Sequence, residues 1–123
     1  MSTSKHALVV DDSASMRQMV SFTLRDAGFT VTEAKDGADA LRLLDAAAPR
    51  IVITDLNMPV MNGIELIRQI RARPSFKFTP ILMLTTESTD AVKAQGRAAG
   101  ATGWIVKPFD PQKLVQVVNK VLP

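Results

Sequence analysis

The sequence predicts a single α/β domain, a doubly wound parallel sheet of five strands with helices on both faces. Three observations lead there. Five short apolar runs, rich in Val and Ile, alternate with five longer segments whose apolar residues recur every three or four positions. Most of these runs are apolar throughout rather than at every second position, the mark of strands covered on both faces. The third observation is where the runs stop. Ile51-Val52-Ile53-Thr54 ends on Asp55, and three of the other four runs also end on polar or charged side chains. Right-handed crossovers bring the carboxyl ends of parallel strands to one edge, where α/β sheets keep their ligand crevice. Asp11, Asp12, Asp55, Thr85 and Lys107 therefore converge from four different strands.

Taken in order, residues 7–10 form the first strand, ending at Asp11-Asp12. Ser13 caps the first helix, with Asp12 as a competing cap. Met16, Met19, Val20 and Leu24 make its inner face, and Gly28 stops it. Residues 29–34 alternate Phe29, Val31 and Glu33 and predict a more exposed second strand. After the turn at Asp36-Gly37, Ala38, Leu41, Leu44 and Ala48 line a second helix closed by Pro49. The third strand runs from Ile51 to Asp55. Gly63 opens a third helix with Ile64, Ile67 and Ile70 inward and Arg68, Arg71 and Arg73 on a solvated face. A loop over 74–79 carries Phe76 and Phe78 into the fourth strand, residues 80–84, which ends at Thr85-Thr86. Ser88 or Thr89 caps the fourth helix, whose only large apolar anchor is Val92, so it should be the least firmly packed. Gly100 ends it. Residues 103–107 are the fifth strand. Asp110 caps a last helix with Pro111 in its first turn and Leu114, Val117, Val118 and Val121 along its core stripe.

Composition narrows the classes. The 123 residues suit one domain, and a hydrophobic content of 46% fills a core. The chain has no cysteine, which excludes disulfides, thiolate metal sites and cysteine nucleophiles and permits a cytoplasmic location. No apolar run approaches the ~18 residues of a membrane span. The polar start, Met1-Ser2-Thr3-Ser4-Lys5-His6, is not a signal peptide. A net charge of +3 without a basic run gives little support to nucleic-acid binding. His6, near the terminus, is read as uninvolved, and the methionines as core filler.

Three carboxylates on one edge repel one another unless a cation compensates them, and Mg²⁺ suits such oxygen donors. Asp12 and Asp55 are the expected direct ligands. Asp11 is expected to hold a metal-bound water, and the backbone carbonyl of Asn57 to complete the shell. Asp55 is the reactive group. A phosphoryl donor in line with its carboxylate would have its charge met by the metal, the Lys107 ammonium and the Thr85 hydroxyl, giving an acyl phosphate. Each part alone has an ordinary reading. Asp11-Asp12 could be a turn and a cap, Asp55 a loop residue and Lys107 a surface lysine. It is the agreement of four strand ends that favours a site.

These residues, namely Asp11-Asp12, Asp55 followed by Met58-Pro59 and Gly63, Thr85, and Lys107-Pro108-Phe109, give the chain a resemblance to bacterial response-regulator receiver domains along its whole length. Val9-Val10-Asp11-Asp12-Ser13 with Ser15-Met16-Arg17, and Asn57-Met58-Pro59, are most similar to the stand-alone chemotaxis regulators of that family. The resemblance implies a flavodoxin-like sheet of order 2-1-3-4-5 and a single receiver domain over 1–123 without an output domain. It implies that Asp55 accepts phosphoryl from a sensor histidine kinase, with Mg²⁺ at Asp11, Asp12, Asp55 and Asn57. Thr85 and Lys107 are then the residues that answer the phosphoryl group, and Trp104 holds the aromatic switch position. Asn57 and Glu87 occupy the positions that tune hydrolysis. Helix four, strand five and helix five form the output face, for a flagellar motor switch protein. A phosphatase is a further partner, and the chain is expected to be a cytoplasmic monomer rather than an enzyme acting on a separate substrate. Two positions depart from the family pattern. Trp104 stands where Tyr or Phe is commoner, and Thr86 where a small residue is favoured.

Rival readings fare less well. A small-molecule phosphohydrolase with an Asp nucleophile would need a second Asp where Asn57 stands. An acidic two-metal nuclease would not place Lys107 in the cluster. A receiver serving as phosphate sink, or regulating another kinase, is the alternative that sequence separates least from motor binding.

Overall fold

The computed structural model describes residues 5–122. Five parallel strands lie in the order β2-β1-β3-β4-β5: β1 (His6–Val10), β2 (Thr30–Ala34), β3 (Ile51–Thr54), β4 (Ile81–Thr85) and β5 (Gly103–Val106). The helices are α1 (Ala14–Asp26), α2 (Gly37–Ala47), α3 (Gly63–Arg71), α4 (Asp90–Ala99) and α5 (Pro111–Val121), with a 3₁₀ turn at Pro74–Phe76 inside the loop expected over 74–79. The doubly wound sheet and the order carried by the family resemblance both hold. The polar start at residues 1–4, read as no signal peptide, lies outside the described residues.

Successive residues of each central strand point to opposite faces, so the core divides in two. Leu8, Val10, Val52, Ile81 and Met83 pack under α2, α3 and the inner side of α4. Val9, Ile51, Ile53, Leu82 and Leu84 pack under α1 and α5. Strands β1, β3 and β4 are buried nearly end to end, whereas the edge strand β2 is half exposed, in line with its alternating sequence.

Several helix faces differ from the spacing. Met19 is 56% exposed, and the inner face of α1 turns instead through Val20, Ser21 and Leu24. Of the methionines among the described residues only Met83 is fully buried. In α2 the buried positions are Gly37, Ala40 and Leu44. Ala38 faces solvent, and Ala48 is the left-handed C-cap, with φ of 43°. Apolar content made these alanines look like core, but a helix buries one stripe only.

Arg71 is not on a solvated face either. Its guanidinium donates to the carbonyl oxygens of Phe76, Lys77, Thr79 and Gly100, at 2.6 to 3.2 Å. It ties the end of α3 to two loops, and burial lowers its pKa from the usual arginine value. Arg73 also turns inward, donating to the Leu41 carbonyl at 3.2 Å and pairing with Asp45. Arg68 alone of the three remains on the exposed face.

The fourth helix is thinly packed as expected: Gly96 is its only buried residue. Thr89 caps it, its hydroxyl accepting from the Val92 N–H.

Candidate functional site

The carboxyl ends of β1, β3 and β4 and the residue following β5 meet at one edge of the sheet. β1 delivers Asp11 and Asp12, of which Asp11 is buried at 3% exposure and Asp12 is exposed. β3 delivers Asp55 at 9% exposure. One carboxylate oxygen from each of the three lies within 4.8 Å of the others. Lys107 extends from beyond β5 into this group. Its Nζ stands 2.9 Å from Asp11 Oδ2 and 3.4 Å from Asp55 Oδ2. The ammonium thus bridges two of three acids and leaves Asp12 at the solvent side.

Main-chain donors hold the buried acids. The Leu56 N–H donates to Asp55 Oδ1 at 2.7 Å, and the Ser13 N–H to Asp11 Oδ1 at 2.9 Å. Ser13 is also the α1 cap, accepting from Met16 N, so the capping alternative at Asp12 is not used. The loop after Asp55 folds back tightly. The Gly63 N–H donates to the Leu56 carbonyl at 2.8 Å, and a Cβ on Gly63 would lie 2.3 Å from the Asp55 carbonyl oxygen. Gly63 is therefore needed for close approach to the acid-bearing strand end. The helix itself is capped by Asn62, which accepts from the Glu65 N–H and which the sequence reading passed over.

Burial raises the Asp55 pKa above the ordinary carboxylate value. Lys107 opposes that rise, and Asp11 adds to it. Three acids facing one ammonium leave the cluster short of positive charge. The donor set is all oxygen, with Asp12 on the open side, and it fits a hard divalent cation such as Mg²⁺.

Thr85 ends β4 with its side chain fully buried. Its hydroxyl accepts from the Glu87 N–H at 3.3 Å, and its carbonyl accepts from the Lys107 N–H at 2.9 Å. Trp104 points to the α4 side of the sheet, and its Nε1 donates to the Glu87 carbonyl at 2.8 Å. Glu87 thus links Thr85 and Trp104 through its main chain. The neighbouring Thr86 is exposed, as is Asn57 on the loop past Asp55. His6 contacts Thr32 at 2.7 Å on β2, close to neither Asp55 nor Lys107 in the sheet register. The residues that sequence reasoning missed are main-chain donors (Leu56 and Ser13) and Arg17, whose Nη1 donates to the Asp11 carbonyl at 2.8 Å. Backbone donors carry no residue signature, and nothing in a helical arginine announces a contact made backward across the cap.

Comparison with known proteins agrees with this geometry. The family model described as "Response regulator receiver domain" matches residues 7–119. The chain is 45% identical over 117 residues to chemotaxis protein CheY1 of Helicobacter pylori, covering 94% of each chain. It is 42% identical over 115 residues to chemotaxis protein CheY of Pseudomonas aeruginosa, covering 93% of each. Among solved structures, chemotaxis protein CheY4 of Vibrio cholerae superposes with a TM-score of 0.94 at 50% identity, covering 98% of this chain and 100% of that one. The receiver domain of a Pseudomonas aeruginosa sensor histidine kinase, described with a magnesium ion coordinated in its active site cleft, has a TM-score of 0.87 at 25% identity, covering 96% and 97%. The chain belongs to the response regulator receiver domain family of phosphoacceptor signalling proteins, and within it to the CheY type found in chemotaxis.

Proposed function

We propose that Asp55 is the phosphoacceptor, taking a phosphoryl group from a phosphohistidine of a chemotaxis-type sensor histidine kinase. The observation that carries this reading is the Lys107 ammonium set between the Asp11 and Asp55 carboxylates beside an open acid, Asp12. A carboxylate oxygen of Asp55 forms the new O–P bond as the P–N bond to the donor imidazole breaks. The imidazole nitrogen leaves with the electron pair and takes up a proton. Asp12 and Asp55 would hold Mg²⁺ directly, with Asp11 acting through a water and the Asn57 carbonyl completing the shell. When bound, Mg²⁺ would supply the charge compensation for the phosphoryl oxygens. Lys107, released from part of its pairing with Asp55, is free to meet the same oxygens. Hydrolysis of the acyl phosphate returns the resting state, with Asn57 and Glu87 beside its path and a phosphatase as a further partner.

Thr85 carries the signal outward. A phosphoryl oxygen on Asp55 would accept from the Thr85 O–H and draw the hydroxyl away from the Glu87 N–H that it now accepts from, and Glu87 holds the Trp104 indole on its carbonyl. The output is the face of α4, β5 and α5. Val106 is 41% exposed there, beside a hollow of about 460 Å³ lined in part by Trp104, Ile105, Pro108, Phe109 and Lys113. Lys93 and Arg97 on α4 add positive charge. A flagellar motor switch segment that presents apolar side chains among acidic ones suits that surface. Among the described residues no helix is long and apolar enough to cross a membrane. The messenger is proposed to act in the cytoplasm as a monomer.

The test has two parts. Acetyl phosphate with Mg²⁺, followed by hydride trapping, should label Asp55, and labelling that persists in Asp55→Asn overturns the assignment. A motor switch protein should then be retained by the chain only when a phosphoryl donor is present. Retention that ignores the donor would overturn the phosphorylation switch, and no retention under either condition would favour a phosphate sink or a regulator of another kinase.

A further inference from the structure

Asp11 is held at every polar atom it possesses. Its N–H donates to the Ala34 carbonyl at 3.2 Å, Oδ1 accepts from Ser13 N, and Oδ2 pairs with Lys107. The fourth contact is of a different kind. Arg17, in the first full turn of α1, reaches back past the helix cap, and its Nη1 donates to the Asp11 carbonyl at 2.8 Å. Its Nε donates at the same time to Glu33 Oε1 on β2, at 3.1 Å. The Arg17 side chain is only 18% exposed. Holding a guanidinium there costs desolvation, which its planar fork offsets by engaging two acceptors in fixed directions.

The Asp11 carbonyl belongs to the peptide that joins Asp11 to Asp12. Fixing that oxygen fixes the peptide plane, and with it the direction in which Asp12 leaves the main chain. Asp12 itself makes no side-chain hydrogen bond or ion pair among the described residues, so nothing else on its own carboxylate sets that direction. We infer that Arg17, steadied by Glu33, is a positioning residue for the cation site: it aims Asp12 at the opening between Asp11 and Asp55. This rests on the proposal that the three carboxylates take Mg²⁺.

Electrostatics gives the inference a sign that a bystander could not reproduce. A guanidinium beside a cation site repels the cation, so deleting its charge alone should tighten Mg²⁺ binding. A positioning role predicts the opposite, a loss of about tenfold, as is usual when a group that orients a ligand is removed. The experiment is Mg²⁺ titration by calorimetry on wild type, Arg17→Met, Arg17→Lys, Glu33→Ala and the Arg17→Met/Glu33→Ala double variant, each with a melting curve in chelator. Wild type that fails to bind Mg²⁺ would overturn the metal assignment itself, before any variant is considered. Given wild-type binding, Arg17→Met should weaken affinity about tenfold and Arg17→Lys less, since it keeps the charge and loses the fork. The double variant should bind like Arg17→Met, because the two residues act as one unit. Affinity equal to or tighter than wild type in Arg17→Met overturns the inference, even where the melting temperature has dropped. Should Arg17→Met not fold, Arg17→Lys decides alone, with wild-type affinity counting against the role and weakened affinity supporting it.

Discussion

The Trp104 indole fills the space that a side chain on Gly96 would need: a Cβ built on Gly96 would lie 2.5 Å from Trp104 Cζ3. A large ring on β5 and a bare position on α4 are therefore two halves of one fit. The ring is inward here, with its Nε1 on the Glu87 carbonyl. Gly96→Ala should raise the intrinsic stability of α4 by about 1 kcal/mol yet push the ring outward. Trp104 is the only Trp and the chain has no Tyr, so emission reports this ring alone. Red-shifted emission and stronger acrylamide quenching are expected in Gly96→Ala, with a net stability change within about 1 kcal/mol of zero. Unchanged quenching would mean that the helix, not the ring, gives way.

The raised pKa of Asp55 makes a statement about stability. A carboxyl whose pKa is higher folded than unfolded binds more protons in the fold, so its charged form opposes folding. The penalty is absent at pH values below the unfolded value near 3.8. It grows as pH rises toward the folded pKa and is complete above it. Asp55→Asn removes that penalty. The variant should be more stable than wild type at pH 7 by on the order of 1 kcal/mol, and the gain should vanish as pH is lowered through the acid range. Urea denaturation at a series of pH values reads both trends. A gain that persists at low pH would assign it to packing rather than to charge.

Gly63 offers a test of how closely the site depends on its loop. The Asp55 carbonyl is backbone and cannot swing away from a Cβ at 2.3 Å, so Gly63→Ala must move either the strand end or the start of α3. A loss of roughly 2 kcal/mol is expected, in the range for overpacked sites. Mg²⁺ affinity should fall with it, because Asp55 moves. Gly28 is the control: its φ of 96° strains any side chain, but nothing lies within 4 Å. Gly28→Ala should therefore lose stability while keeping Mg²⁺ affinity. Loss of affinity in both variants would point to general loosening.

The sheet and the gathering of Asp11, Asp12, Asp55 and Lys107 at one edge were legible because both follow from short-range pattern and topology. Runs such as Ile51–Thr54 read directly as buried strands, and parallel connection brings their ends together without any detailed packing. What escaped was decided by partners distant in sequence. Arg71 looked like any outward helix residue, yet its acceptors lie on two loops, one of them 29 residues away at Gly100. Met19 kept the helical spacing but fell off the edge of the buried stripe, where a shift of one position turns a side chain by about 100°. Thr85 and Trp104 were marked for the switch and Glu87 only for tuning hydrolysis, because the linkage between the two runs through the Glu87 main chain and is invisible in side-chain identity.

Lys107 and Asp12 should separate cleanly in a last pair of variants. Lys107, its side chain 11% exposed, sits against two acids at 2.9 and 3.4 Å, so Lys107→Ala leaves Asp11 and Asp55 facing each other without a cation. In chelator that variant should lose roughly 3 kcal/mol, the scale for breaking a buried pair. Mg²⁺ should restore much of the loss, because added cation relieves the same repulsion, and its affinity should not fall. Asp12→Ala acts in the opposite direction. Removing an exposed acid from a crowded cluster should leave stability in chelator unchanged or slightly higher, while Mg²⁺ affinity collapses with the loss of a direct ligand. Melting curves for both variants with and without Mg²⁺ therefore cross: metal rescues Lys107→Ala and does nothing for Asp12→Ala. If metal raises the melting temperature of both equally, the cation is held somewhere other than this cluster, and Asp12 is only the start of a turn.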